Sequence, residues 1–454
     1  MKLSSIFQYN KKKRWSSSQT IIAGFLVVIL IGSLLLMLPV SSKSGNATSF
    51  LDALFTATSA TCVTGLVVHD TASHWSLFGQ AVILLLIQIG GVGVITITLS
   101  ASLISGKKIG LMQRSTMQEA ISAPSVGGIV RMTGFLLKIT IFVELAGAIL
   151  MMPVFCSDFG FGKGIWYSFF HSISAFCNAG FDLMGEKQHF SSLTAYTGNW
   201  SINLVIMGLI IFGGIGFLTW DDIRTNGIFF RRYRLQSKVI VIMTALLIIA
   251  PFLYIFFGEL DRPAWRWMTT GEKTWAALFQ AVTPRTAGFN SIDLAQFSEA
   301  GITIMIILML IGGSPGSTAG GMKTTTVAVL FLSLFAVFQR KEDAECFGRR
   351  IADDTVKYAA AVLLMYISLF LTGGIVISCI EGLPMQTALF ETASAIGTVG
   401  LTLGVTPQLG VVSRLILIVL MYMGRVGGLT LIFATFTSTN GNVSKLPKEK
   451  ITVG

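Results

Sequence analysis

Apolar residues fall along this chain in runs of two lengths. Eight long runs lie near residues 20–40, 78–104, 133–153, 202–220, 237–257, 301–338, 356–379 and 411–436. Each is long enough to cross a bilayer's hydrocarbon, roughly 30 Å thick, which takes about 20 helical residues. Between the members of each pair sits an apolar segment of about ten to fourteen residues, too short to span, which reads as a re-entrant helix. The pattern predicts an all-α integral membrane protein with eight transmembrane helices.

The short segments match when laid in register. They read ALFTATSATCVTGL from Ala53, SFFHSISAFCNAGF from Ser168, ALFQAVTPRTAGF from Ala277 and ALFETASAIGTVGL from Ala388. In three of them a phenylalanine stands ten positions before the glycine, at Phe55/Gly65, Phe170/Gly180 and Phe390/Gly400. The third, Phe279/Gly288, is one residue shorter and contains Pro284-Arg285, so its helix must end differently. The long runs that follow also rhyme, at Gly90-Gly91-Val92-Gly93, Gly213-Gly214-Ile215-Gly216, Gly312-Gly313-Ser314-Pro315-Gly316 and Gly424-Arg425-Val426-Gly427-Gly428. The chain therefore repeats one unit four times: span, short helix, glycine-ended loop, span. Such repetition outweighs any single motif.

The repeat has a physical consequence. Non-helical backbone cannot face lipid, because each unsatisfied peptide group costs several kcal/mol. A re-entrant loop is tolerated only where it is buried in protein or lines an aqueous path. Four such loops about a pseudo-fourfold axis give a ring of carbonyls able to replace the hydration shell of a monovalent cation. Glycine suits the loop ends because the backbone must take φ values that other residues resist. The short helices would aim their negative C-terminal ends at the centre and favour a cation there. The candidate coordinating backbone is Thr61, Cys62, Val63, Thr64 and Gly65 in the first loop and Cys177, Asn178, Ala179 and Gly180 in the second. In the third it is Thr286, Ala287 and Gly288, and in the fourth Gly397, Thr398, Val399 and Gly400. Asp52 is expected to cap the first short helix, Glu391 to buttress the fourth loop, and Arg285 to point behind the third loop, away from the pore.

One long run is too long. As a single helix, 301–338 would extend about 57 Å at 1.5 Å per residue. Its middle, Gly312 to Met322, holds five glycines, a proline, two serines and a threonine. This stretch is expected to be an irregular loop in the protein interior or the aqueous path, placed to act as a gate. The candidate gate comprises Gly312, Gly313, Ser314, Gly316, Ser317, Thr318, Gly320 and Gly321. Two deep cations join it: Lys323 beside the loop, and Arg425 within the last run, read as holding the loop through its carbonyls.

Composition agrees with the pattern. The 454 residues are 53% hydrophobic and only 12% charged, against about 25% charged in soluble domains. The net charge of +11 would suggest nucleic acid, but its placement does not. Lys and Arg gather at Lys2 and Lys11–Arg14, at Lys107, Lys108 and Arg114, and at Arg224, Arg231, Arg232, Arg234 and Lys238. They recur at Arg340, Lys341, Arg349, Arg350 and Lys357, and at Lys445, Lys448 and Lys450. Basic segments that alternate along the chain follow the positive-inside rule and put both termini in the cytoplasm. Five cysteines without CxxC spacing read as small buried residues, and four scattered histidines offer no metal site. No GxGxxG opens a βαβ unit, so any nucleotide is expected to bind a partner chain, and no nucleophile–base pair suggests an enzyme.

The fourth loop, Thr398-Val399-Gly400-Leu401, is close to the TVGYG loop of K+ channels. With the other three in register, and Gly288-Phe289-Asn290 in the third, the chain resembles the K+-translocating membrane subunit of the Ktr type (KtrB-like). That subunit belongs to a superfamily with Trk and plant HKT transporters, and the resemblance covers Ile21 to about Phe436. It implies K+ uptake across a bacterial plasma membrane through a filter of Gly65, Gly180, Gly288 and Gly400, with K+ held at the loop carbonyls and Na+ as a candidate second cation. It also implies a homodimer in lipid, seated on a cytosolic ring of nucleotide-binding RCK-type regulatory subunits (KtrA-like). The expected layout is a cytoplasmic N-terminus (1–19), repeats at 20–105, 133–220, 237–338 and 356–436, an intramembrane loop at 312–322 and a cytoplasmic C-terminus (437–454). A secondary transporter coupling a solute to Na+ or H+ is the alternative. Against it stand the four repeats and spans nearly free of Asp and Glu apart from Glu144.

Overall fold

In the computed structural model the chain is mostly helical; it describes residues 16–94, 96, 110–120, 127–428, 430 and 449. The basic clusters at Lys11–Arg14, Lys107-Lys108 and the tail, and the ends of the runs 78–104 and 411–436, lie outside the described residues. The principal helices are α1 (Ser17–Met37), α2 (Phe50–Thr61), α3 (Leu77–Val92), α4 (Ile129–Phe159) and α5 (Phe161–Phe176). They continue with α6 (Trp200–Gly214), α7 (Phe217–Asn226), α8 (Leu235–Tyr254), α9 (Thr270–Val282) and α10 (Glu299–Leu310). The last are α11 (Thr324–Phe338), α12 (Asp353–Glu381), α13 (Met385–Gly397) and α14 (Val411–Val426).

Helix starts are written in side chains that satisfy free N–H groups. Ser16 and Gln19 form a reciprocal capping box on α1, and Thr269 and Glu272 form one on α9. Ser49, Ser76, Asn199 and Ser298 cap α2, α3, α6 and α10. The cap of α2 is thus Ser49, not Asp52. Asp52 sits in the first turn, where it binds His69 at 3.2 Å and Arg414 of α14 at 2.7 Å.

Among the described residues four helices are long and apolar enough to cross a membrane unbroken: α1, α4, α8 with its π-turn extension to Glu259, and α12. The helices that follow each short helix are different. α3 stops at Gly93 (φ +97°), and α14 at Gly427 (φ +90°). α6 stops short of Gly216 (φ +93°) and α7 then leaves at 97° to it. The expected run 202–220 is therefore not one straight helix. The long run 301–338 is interrupted between Leu310 and Thr324, and all four runs break near their rhyming glycines.

The polarity is inverted relative to a soluble protein. Large apolar side chains face outward on the long helices, including Leu34, Phe142, Ile249, Phe335 and Leu364. Such a surface is stable only against lipid. The buried interior holds Ser59, Thr64, Ser174, Asn178, Thr286, Ser394 and Thr398. One apolar core gathers around α2, α3, α5 and α6 and takes in Phe279 and Phe289; a second surrounds α10, α12, α13 and α14 and takes in Phe55 and Leu66, and a smaller third includes Ile21, Phe25 and Phe217. Each half of the chain thus lends an aromatic ring to the other. Phe55, Phe170, Phe279 and Phe390, the register residues of the short helices, are all fully buried.

Candidate functional site

The four glycine-ended loops meet. A β-carbon built on Gly65 would stand 2.5 Å from the carbonyl oxygen of Ala179, and one on Gly180 2.9 Å from that of Ala287. On Gly288 it would stand 2.5 Å from the Val399 carbonyl, and on Gly400 it would overlap the carbonyl of Thr64. These contacts close a circle, first loop to second, third, fourth and back to first. No side chain fits at any of the four positions, because real β-carbons do not approach heavy atoms that closely. The carbonyl before each glycine reaches the next loop around the ring.

The backbone repeats its geometry at every station. The glycines have φ of +93°, +69°, +78° and +93°. Two residues earlier, Val63, Asn178, Thr286 and Thr398 also have positive φ, between +50° and +66°. β-branched residues resist this left-handed region, at a cost of order 1–3 kcal/mol each. The N–H of the residue before each glycine returns to the short helix: Thr64 to Ser59 O, Ala179 to Ser174 O and Val399 to Ser394 O, each at 2.7–2.8 Å. In the shortened third loop the equivalent bond is Ala287 to Thr283 O, 2.9 Å, one position closer. The missing residue is therefore absorbed before the ring, and the ring itself is uniform.

The hydroxyls of those four anchor residues hold the loops. Ser59 accepts the N–H of Gly65 at 3.1 Å, and Ser394 that of Gly400 at 3.0 Å. Ser174 donates to Phe181 O at 2.7 Å, and Thr283 to Phe289 O. A second polar position follows each register phenylalanine: Thr56, His171, Gln280 and Glu391, all buried. His171 accepts the N–H of Leu183 at 3.2 Å. Glu391 accepts from Thr402 and Thr406 hydroxyls at 2.6 Å and from the N–H of Leu403 at 3.1 Å, so it fixes the segment after the fourth loop. Sequence reasoning singled out only Glu391; the polar residue after Phe in all four aligned segments was the available signal.

Other sequence-selected residues take defined places. Thr61 ends α2, and Cys62 and Cys177 are the residues after α2 and α5. The Cys177 thiol turns toward Gln88 and Glu144, behind the loop. Gly397 closes α13, where a β-carbon would overlap the Met309 carbonyl. Arg285 is buried and donates from Nη2 to the Thr244 hydroxyl of α8 at 3.2 Å, behind the third loop.

The rhyming glycines let helices approach the ring from behind. A β-carbon on Gly90 would overlap the Thr61 carbonyl, on Gly213 the Phe176 carbonyl and on Gly424 the Ile396 carbonyl. Each of those carbonyls lies four residues before its ring glycine. In the third case a loop takes the place of the helix. Its ends are pinned by Gly312 N–H to Met322 O (2.8 Å) and Thr324 N–H to Gly313 O (3.1 Å). It docks on the other breaks through Ser314 and Thr318 N–H to Gly214 and Gly213 carbonyls, Gly316 O to Phe217 N–H, and Gly321 N–H to Gly424 O. Lys323 folds over the loop and donates to Ala319 O at 2.8 Å and Gly320 O at 3.3 Å. Arg425 donates from Nη1 to Thr318 O, and from Nη2 to Gly90 O and to Gly91 O at 3.2 Å. It thereby ties the loop to α3.

A cavity of about 190 Å³ lies among the residues that follow the ring, lined by Gly288, Asn290, Asp293, Gly400 and Thr402. A second, of about 220 Å³, lies on the side of the helix breaks, lined by Gly91, Gly93, Ser317, Lys323, Arg425 and Gly427. The first cavity is lined by two ring glycines, Gly288 and Gly400, and the second by the cations Lys323 and Arg425.

The sequence pattern of TrkH, described as "Cation transport protein", matches residues 8–444. The chain is 41% identical to the potassium/sodium uptake protein NtpJ of Enterococcus hirae, over 99% of this chain and 100% of that one. It is 39% identical to the Ktr system potassium uptake protein B of Bacillus subtilis, over 97% of each. Among solved structures, the potassium transporter TrkH of Vibrio parahaemolyticus superposes with a TM-score of 0.72 at 20% identity, covering 94% of this chain and 86% of that one. That likeness is one of fold.

Proposed function

The chain belongs to the TrkH family of cation transport proteins, and from that premise we propose that it takes up K+ through the ring of Gly65, Gly180, Gly288 and Gly400. The observation that carries this reading is the closed circle of four loops with one backbone geometry. Carbonyls fixed in such a ring exchange for the water shell of a monovalent cation. The NtpJ relative is a potassium/sodium uptake protein, so Na+ is the natural second cation.

The proposed organisation is four repeats of span, short helix, ring loop and broken span, eight spans in all, at 20–105, 133–220, 237–338 and 356–436. The loop 312–322 is the proposed gate, held by Lys323 and Arg425, which sits on the side where the helices break. The alternation of basic segments supports cytoplasmic termini. Relatives named as parts of a Ktr system support a cytosolic partner subunit, for which an RCK-type nucleotide-binding ring is the proposal, with this chain as a homodimer. Gly65→Ser tests the reading directly. Its hydroxymethyl group meets the Ala179 carbonyl, so the K+/Na+ uptake ratio of K+-uptake-deficient cells should fall. An unchanged ratio removes the filter assignment.

A further inference from the structure

The intramembrane loop touches two of the ring loops, and at the same register position in both. Thr318, fully buried, donates its hydroxyl to the Phe176 carbonyl at 3.0 Å, with the Asn178 side-chain oxygen at 3.4 Å. Asn178 stands two residues before Gly180. Its amide nitrogen reaches the third loop, at Arg285 O (3.3 Å) and the Thr286 hydroxyl (3.4 Å). On the far side of the same loop, Gly320 abuts Thr398, two residues before Gly400. A β-carbon on Gly320 would overlap the Thr398 hydroxyl oxygen and lie 3.1 Å from its Cβ and Cγ2. Asn178 and Thr398 are two of the four non-glycine ring-loop residues at positive φ.

We propose that the intramembrane loop is also a brace for ion discrimination: through Thr318 to Asn178, and through Gly320 against Thr398, it holds the second, third and fourth ring loops in shape. Asn178 and Thr318 are then positioning residues that make K+/Na+ discrimination depend on the loop's position. The inference rests on the ring being the filter and the loop the gate.

Three physical points support it. A β-branched residue at positive φ stays there only when its surroundings over-determine it, and Thr398 draws part of that constraint from the loop. Thr318 bonds the Phe176 carbonyl at an ordinary 3.0 Å, while the Asn178 bonds to the third loop are longer, at 3.3–3.4 Å, so a shift of the loop reaches the third loop through Asn178. Among the described residues, no hydrogen bond joins the loop 312–322 to the first ring loop. Loop release therefore loosens three ring loops and spares one.

The test compares Thr318→Val, Thr318→Ser and Gly320→Ala in K+-uptake-deficient cells and in proteoliposomes, with K+ and Na+ fluxes read on the same preparation. Thr318→Val keeps the shape and removes the donor, so the K+/Na+ ratio should fall about three- to tenfold, the range of one net hydrogen bond. Thr318→Ser, which restores the hydroxyl, should recover the wild-type ratio. Gly320→Ala pushes Thr398 from the other side and should also lower the ratio, which keeps the test open if Thr318→Val fails to accumulate. Raised flux at an unchanged ratio in Thr318→Val or Gly320→Ala makes the loop a plain gate and overturns the brace. Failure of the filter itself shows separately, as an unchanged ratio in Gly65→Ser.

Discussion

The helix that precedes each ring loop and the helix that follows it are built from similar residues but treated oppositely. α1, α4, α8 and α12 run unbroken for 20 to 31 residues and turn apolar side chains outward. α3 and α6 carry glycine pairs near their ends, α14 carries Gly424, α10 is followed by Gly312-Gly313, and all four stop half-way. The difference teaches where the protein can tolerate irregular backbone. Glycine lets the following helix press its backbone against the end of the short helix. The break then frees N–H and C=O groups, and the intramembrane loop uses them as docking points. In lipid that backbone would cost several kcal/mol per group.

The largest test of this contrast is a single methyl on each kind of glycine. Gly213→Ala drives a β-carbon into the Phe176 carbonyl, whereas Gly208 and Gly134 have nothing within 4 Å of theirs. Gly213→Ala should cost about 1–3 kcal/mol, or more, as overpacking does. Gly134→Ala and Gly208→Ala should be neutral or gain up to about 1 kcal/mol from helix propensity. Thermal unfolding of the purified protein in detergent reads all three, and equal effects would erase the distinction.

Next in size is the cation that links the breaks. Arg425→Gln loses the charge-assisted bonds to Thr318, Gly90 and Gly91. The loop should then rest less firmly and K+ flux should rise several-fold in proteoliposomes; flux at or below wild type argues against a restraining role. Smaller again is the hydroxyl behind each ring loop. Ser59→Ala and Ser394→Ala each leave a glycine N–H without its acceptor, at about 1 kcal/mol. Both should lower the K+/Na+ uptake ratio, and by similar amounts, since the two bonds are alike. A large asymmetry between them would mean that the ring is not as uniform as its dihedral angles.

The smallest effect belongs to an exposed cap. Accepting the N–H and hydroxyl of Thr269 holds the Glu272 carboxyl below the usual carboxylate range. A depressed native value contributes stability above the unfolded pKa and loses it as pH falls through the native one. Wild type should therefore lose a little thermal stability below about pH 4, and Glu272→Gln should flatten that slope. An undiminished slope in the variant would assign the acid sensitivity elsewhere.

Much of this was legible in the residues. The register of four phenylalanines and four glycines located the ring loops, because burial and backbone approach leave periodic marks that survive in one sequence. The run of glycines and Pro315 marked the interruption after α10. Two things were hidden. Breaks in α3, α6 and α14 were read as continuous apolar runs, since a glycine inside a hydrophobic stretch signals close packing and a stop equally well. The positive φ of Val63, Thr286 and Thr398 goes against their own propensity and comes from tertiary contacts alone. Asp52 was misplaced for a simpler reason: Ser49 competes for the same cap, and only the fold brings Arg414 to Asp52.

That last pair spans 362 positions of chain, and the circle of loops closes over nearly the same interval, where Thr64 meets Gly400. The circle has no smaller version. While synthesis proceeds from the N-terminus, three loops can be in place with one side of the ring absent and its carbonyls facing nothing. On the proposed reading, a chain cut before its fourth loop has no closed ring to offer an ion. If the ring is the filter, ion passage waits for the fourth loop, and a partly made chain leaves the membrane closed to ions.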